Sequence, residues 1–115
     1  MPKILVIRFS SIGDIVLTTP VFRCIKNQIP DAEVHFVTKS SYKIVTAHNH
    51  NIDKFYYLEN DLAAVIENLK LEQYDYVVDL HNNTRSYRIK RALKKKSFSI
   101  KKLNVEKFLL TNLNI

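Results

Sequence analysis

Short apolar runs alternate with stretches of helical periodicity along the chain, and this alternation restricts the fold more than any other feature. A strand buried on both faces reads as a continuous apolar run, whereas a helix repeats its apolar positions near every 3.6 residues. Residues 3–8 form the first such run, rich in Ile, Leu and Val. Residues 12–29 follow with Ile12, Ile15, Val16, Thr19, Phe22 and Ile25 near helical spacing. Pro20 lies inside that pattern and is expected to kink the helix or end its first part. Pro30-Asp31 then stops it. Further strands are expected over residues 33–38, 54–58, 74–80 and 97–100. Helices are expected over 40–47 (capped by Ser40 or Ser41), from a cap at Asn60 or Asp61 to about Lys70, over 83–93, and over the amphipathic stretch 105–113. This βαβα order implies a parallel sheet. Right-handed crossovers make it an α/β, Rossmann-like doubly wound sheet with strand order 3-2-1-4-5. Strands one and four then flank the switch point, so a ligand is expected near the residues just after Arg8 and just after Val78.

At 115 residues the chain is one domain's worth, and 46% hydrophobic residues suffice for a core. That composition excludes a disordered chain. No apolar run approaches the roughly 18–20 residues that span a bilayer, and no signal peptide is expected at the N-terminus. Cys24 is the only cysteine, which rules out an internal disulfide and a cysteine-based zinc site. Its place in a helical pattern suits a buried structural thiol, and a cytoplasmic location fits all of these features. Charge is uneven. Residues 1–84 hold eight basic and ten acidic side chains, net −2, whereas residues 85–115 hold ten basic and one acidic, net +9. Either the last third meets an anionic partner or it presents a solvated helix face.

The residues that can carry chemistry lie in two places. The first turn reads Arg8-Phe9-Ser10-Ser11-Ile12-Gly13-Asp14. Gly13 is the only glycine of the chain, so neither a dinucleotide fingerprint nor a Walker loop is present, and no cofactor is expected. A lone glycine here lets the chain turn tightly or lets a ligand approach closely. Asp14 reads either as an acid favoured at a helix N-terminus or as a base aimed into a cleft. The second place is Asp79-Leu80-His81-Asn82-Asn83-Thr84-Arg85, at the end of the fourth strand. Such a polar run can hold a sugar, or it can be a turn with an Asn or Thr helix cap. Asp79 is expected to bond backbone amides of the first turn. His48, His50 and His81 lack metal-ligand spacing, so no metal is expected. The tyrosines form no stacking array for RNA.

Residues 3–20, with Arg8, a Ser-Ser-Ile-Gly-Asp turn and Thr19-Pro20, resemble the opening signature of the heptosyltransferases, glycosyltransferase family nine. Pro30-Asp31-Ala32-Glu33-Val34 is similar to the family's entry into its second strand. Tyr74-Asp75-Tyr76-Val77-Val78-Asp79-Leu80-His81 resembles its Tyr-Asp-x-x-[Ile/Val]-Asp-[Leu/Ala]-[His/Gln] segment.

The resemblance implies a GT-B architecture of two Rossmann-like domains facing a cleft. The amino-terminal domain binds the lipopolysaccharide inner-core acceptor and the other binds ADP-heptose. Residues 1–115 correspond to the acceptor-side domain, with no donor domain and no Gly-rich nucleotide motif. The implied activity is inverting transfer of heptose from ADP-heptose, and the chain alone is expected to be inactive. By the same resemblance Asp14 falls on the catalytic base, and Ser10, Ser11 and Gly13 on the turn that shapes the acceptor site. His81 and Asn82 would bind substrate. Lys39, Lys43 and Arg85 are assigned to acceptor phosphate by charge rather than by motif. Peripheral attachment to the anionic inner face of the inner membrane is a further expectation. The rival readings are a basic nucleic-acid-binding module and a non-catalytic interaction domain. Against the former, no recognition motif is present, aromatic residues do not interleave with the charges, and no nucleic-acid partner is expected.

Overall fold

β1 (Lys3–Ile7) sits at the centre of the sheet because its side chains are apolar on both faces. A computed structural model describes residues 2–9, 12–47 and 49–99 of the chain. After β1 come α1 (Ile12–Gln28), β2 (Glu33–Lys39), a 3-10 turn (Ser40–Tyr42), α2 (Lys43–Thr46) and β3 (Lys54–Leu58). Then follow α3 (Leu62–Glu72), β4 (Tyr76–Asp79), α4 (Thr84–Leu93) and β5 (Lys96–Ser99). The five strands are all parallel and ordered β3-β2-β1-β4-β5, the order expected from the sequence. The register aligns Ile7 with Val37 on one side and with Asp79 on the other. The carboxyl ends of β1, β2 and β4 therefore form one rim, with the switch point between β1 and β4.

Alternation along β1 feeds two cores. Ile4 and Val6 face α1 and pack with Ile15, Phe22, Val34 and Phe36. Leu5 and Ile7 face α3 and α4 and pack with Val37, Leu69, Tyr74, Val77 and Ile89. Each such fully buried side chain contributes about 1.5–3 kcal/mol. The Phe22 and Phe36 rings meet edge-on, with centroids 4.9 Å apart.

Several local expectations are revised. α1 runs through Pro20 instead of ending there, because Ile15, Thr18, Val21 and Phe22 are buried on both sides of the proline. The helix after β2 is split into the 3-10 turn and the four-residue α2. Neither Ser40 nor Ser41 caps it, since the caps are Lys39 and Tyr42, without side-chain bonds. Asp61 does cap α3, accepting the Ala64 amide at 3.2 Å. β4 begins at Tyr76; Tyr74 is instead buried beneath the sheet edge, its hydroxyl 2.8 Å from His35 Nδ1. β5 starts one residue earlier than expected, at Lys96. The amphipathic stretch 105–113 lies outside the described residues.

A polar network ties the amino ends of the strands together. Glu72, at the end of α3, accepts from Lys3 Nζ at 2.9 Å, from Lys54 Nζ at 2.8 Å and from the Tyr56 hydroxyl. Lys3 Nζ also donates to the Glu72 carbonyl at 2.8 Å, closing the C-terminus of α3. Gln73 then reverses the chain with a left-handed φ of 55°.

Candidate functional site

β4 delivers Asp79 to the carboxyl rim, where its side chain is 0% exposed. One carboxylate oxygen accepts the His81 and Asn82 amides, each at 2.9 Å, and the other meets Lys90 Nζ at 3.0 Å. Burial pushes this carboxyl up. The Asn82 amide, Lys90, Ser86 and the His81 amide outweigh it, and the net effect holds the group below its ordinary value. These amides belong to Asp79's own turn, while Ser10 and Ser11 of the turn after β1 lie outside the described residues. Asp79 is thus a buried fixture that shapes the loop carrying His81.

That loop turns sharply at Asn82, whose φ is 56°. Asparagine tolerates the left-handed region better than most residues because its short side chain can bond locally. Asn83 then opens α4 with a reciprocal box: Ser86 N donates to Asn83 Oδ1 at 3.0 Å, and Asn83 N donates to Ser86 Oγ at 2.9 Å. The turn-and-cap reading therefore holds for Asn83, while His81 and Asn82 remain on the rim before the helix.

Arg8 closes the switch point. Its guanidinium donates to the Leu80 carbonyl at 2.6 Å, joining the end of β1 to the end of β4. Sequence reading placed Arg8 in a motif without giving it a site role; its position after β1 was the available signal. His81 packs edge-on against Phe9, centroids 5.3 Å apart. Burial, then the positive charge of Arg8, hold the imidazole below its ordinary pKa of 6.5, with Lys39 and Arg85 acting in the same direction against Asp79. The ring is therefore neutral at pH 7. His81 Nδ1 and Thr38 Oγ1, near the end of β2, are buried and have no hydrogen-bond partner among the described residues. Buried polar atoms are normally paired, so these two can receive a ligand hydroxyl. The surrounding field is positive, which suits an anionic or polyhydroxylated ligand.

The other expected residues are distributed unevenly around this rim. Gly13 and Asp14 occupy the first turn of α1, just beyond the carboxyl end of β1. Gly13 has helical backbone and no positive φ, so what it contributes is the missing side chain. Ser10 and Ser11 fall outside the described residues. Lys39 ends β2 and stands in the field felt by His81. Lys43 instead lies toward the outer strand, its ammonium 5.6 Å from the centre of the Tyr57 ring. Arg85 and Arg88 line an open polar cleft of about 440 Å³ with Glu59 and Asp61. The basic residues of α4 are not one solvated stripe, since Lys90 is half-buried against Asp79.

Glu33, His35 and Glu72 place metal-ligating atoms within 4.8 Å of one another. They lie at the amino ends of the strands, the opposite end from the rim. Lys3 Nζ already sits 2.9 Å from Glu72 and 3.8 Å from Glu33, supplying the positive charge there. Among the described residues no helix is long and apolar enough to cross a membrane.

No protein-family model matches the sequence. The chain is 28% identical to lipopolysaccharide heptosyltransferase 1 of Campylobacter coli, in an alignment covering 87% of this chain and 31% of that protein. It therefore spans about a third of the curated relative it matches. Its fold matches the glycosyl transferase family 9 structure from Veillonella parvula with a TM-score of 0.80 at 20% identity, over 93% of this chain and 34% of that one. The match to E. coli ADP-heptose lps heptosyltransferase II has a TM-score of 0.74 at 18% identity, over 84% and 30%. E. coli heptosyltransferase WaaC with ADP gives 0.71 at 18% identity, over 86% and 34%. The resemblance read from residues 3–20 and 74–81 is borne out, and the Rossmann-like sheet is part of the GT-B fold of these transferases.

Proposed function

We propose that this chain is the acceptor-side domain of a heptosyltransferase that moves heptose from ADP-heptose to the lipopolysaccharide inner core. The observation that carries this reading is the alignment over 87% of the chain with a lipopolysaccharide heptosyltransferase. The positive rim at the switch point supports it.

In this reading Asp14 takes the proton from an acceptor hydroxyl as that oxygen attacks the anomeric carbon of ADP-heptose. The C–O bond to ADP breaks on the opposite face, which inverts the centre. That Asp14 lies in the first turn of α1, just after β1, supports this role. Neutral His81 and Asn82 hold sugar hydroxyls, while Lys39 and Arg85 attract acceptor phosphate. Ser10, Ser11 and Gly13 shape the floor, and Lys43 extends the basic surface toward β3. A second Rossmann-like domain supplies the ADP-heptose site, so the 115-residue chain alone transfers no sugar. The working location is the cytoplasmic face of the inner membrane.

Calorimetry on the purified chain tests this division of labour. The expected result is binding of the inner-core acceptor and none of ADP-heptose, with no ADP released from the mixture. Turnover by the chain alone, or tight ADP-heptose binding without acceptor binding, would overturn it.

A further inference from the structure

The open polar cleft of about 440 Å³ between the first turns of α3 and α4 has two banks of opposite charge. Glu59, Asn60 and Asp61, from the turn between β3 and α3, line one side. Arg85 and Arg88 of α4 line the other, three residues apart and so on one face of the helix. All the lining residues belong to the described part of the chain. Among the described residues no ion pair joins the two banks. The helices cannot swing together to close the gap, because Val65, Ile66 and Leu69 of α3 share a core with Ile89 and Leu93 of α4. Nor do the side chains reach across it, since an exposed pair returns too little to offset the ordering of two long side chains.

We propose that this cleft binds a small zwitterion, a primary ammonium joined to a phosphate monoester. The ammonium lies toward Glu59 and Asp61, and the phosphate spans Arg85 and Arg88. A guanidinium presents a planar fork of donors that matches a pair of oxygens. One fork satisfies a carboxylate, whereas the three terminal oxygens of a phosphate monoester engage two. An ammonium has three donors, and Glu59, Asn60 and Asp61 offer oxygen acceptors on the facing bank. Asp61 is held in place there, because one of its oxygens caps α3 through the Ala64 amide at 3.2 Å. The cleft falls within the range of roughly 300–1,000 Å³ for small-molecule sites. An anion without a cationic group meets the acids as well as the arginines and gains less. The inference rests on the reading of Arg85 as a phosphate contact and narrows it to a phosphate with an ammonium beside it. Its test measures binding alone, so its failure is distinct from a failure of the proposed sugar transfer.

Phosphoethanolamine is the probe, added to the full 115-residue chain and followed by NMR. The amides of residues 60–63 and 85–88 are expected to shift. They should do so at concentrations at least about tenfold below those needed with inorganic phosphate or with ethanolamine alone. Glu59→Gln and Arg88→Gln are each expected to weaken binding by at least about fivefold, with the circular dichroism spectrum retained. Inorganic phosphate that binds as tightly as phosphoethanolamine would overturn the proposal and leave a simple anion site. Glycine that binds as tightly would also overturn it, by assigning the cleft to carboxylate zwitterions. Absence of shifts at these amides, or binding that Glu59→Gln leaves unchanged or strengthens, would overturn it as well.

Discussion

Lys90 projects from α4 onto the buried carboxylate of Asp79 at 3.0 Å, and this contact fixes the loop that carries His81 to the sheet. Removing one partner of a buried pair strands the other charge, at a cost of about 3–5 kcal/mol. Lys90→Met is therefore expected to lower stability by that order in urea denaturation. Asp79→Asn should cost less, because Asn keeps an acceptor for the His81 and Asn82 amides and the Lys90 ammonium left behind is part-exposed and can turn to water. Equal losses for both variants would show that the pair does not govern the loop.

Glu72 sets the acid stability of the opposite edge. Burial pushes its carboxyl up, but Lys54, Tyr56, Lys3 and the charge of His35 together bring it down to about 2, from an ordinary 4.5. Between these values the unfolded chain binds more protons than the folded one. The stabilisation is present above about 4.5 and is lost as pH falls toward about 2. Glu72→Gln is expected to flatten the stability profile in that window and to cost about 1–3 kcal/mol at neutral pH. A profile as steep as that of the wild type would remove Glu72 from this role.

His81 behaves in the opposite sense to a paired histidine. Its folded pKa lies below 6.5, so the unfolded chain takes up the proton first and stability falls as pH drops below 6.5. NMR titration should place its midpoint below 6.5. His81→Gln should remove this part of the pH dependence and make the fall in stability below 6.5 shallower than in the wild type. A midpoint at or above 6.5 would contradict the burial and positive field assigned to the rim.

For the proposed chemistry the decisive substitution is Asp14→Asn in the intact two-domain enzyme. Loss of a general base lowers turnover by roughly 10²–10⁴-fold with folding unchanged. A helix-terminus acid would cost only about 0.3–1 kcal/mol of stability. Near-normal turnover would give the central role to another residue.

The basic last third predicts salt-dependent attraction to anionic membranes. Vesicle co-sedimentation should show binding to anionic vesicles at low salt that weakens at moderate salt, and none to neutral vesicles. Equal binding to both kinds of vesicle would reject an electrostatic origin.

Much of this architecture was legible in the sequence because periodicity reports burial directly. The run Ile4-Leu5-Val6-Ile7 could only be a strand covered on both sides, and the order of elements then fixed strand order through crossover handedness. The site was less legible, because a residue type does not reveal its partner. Asp79 looked like a rim residue, yet Lys90, eleven positions on, buries it. His35 gave no sign in the alternation of β2 that it would pair with Tyr74 beneath the sheet. The helix expected over residues 12–29 continues past Pro20 because tertiary packing of Phe22 and Ile15 outweighs the local defect of one missing amide.

The Glu72 network and the Arg8–Leu80 contact stand at opposite ends of the same five strands. Robustness and the proposed recognition are thereby housed apart. An engineer can harden the protein against heat or acid by rebuilding around Lys3, Lys54 and Glu72 while the rim keeps its geometry. Conversely, in the proposed function His81 and Arg85 are the positions to alter for ligand preference, while the clasp at the far edge continues to hold the strands in register.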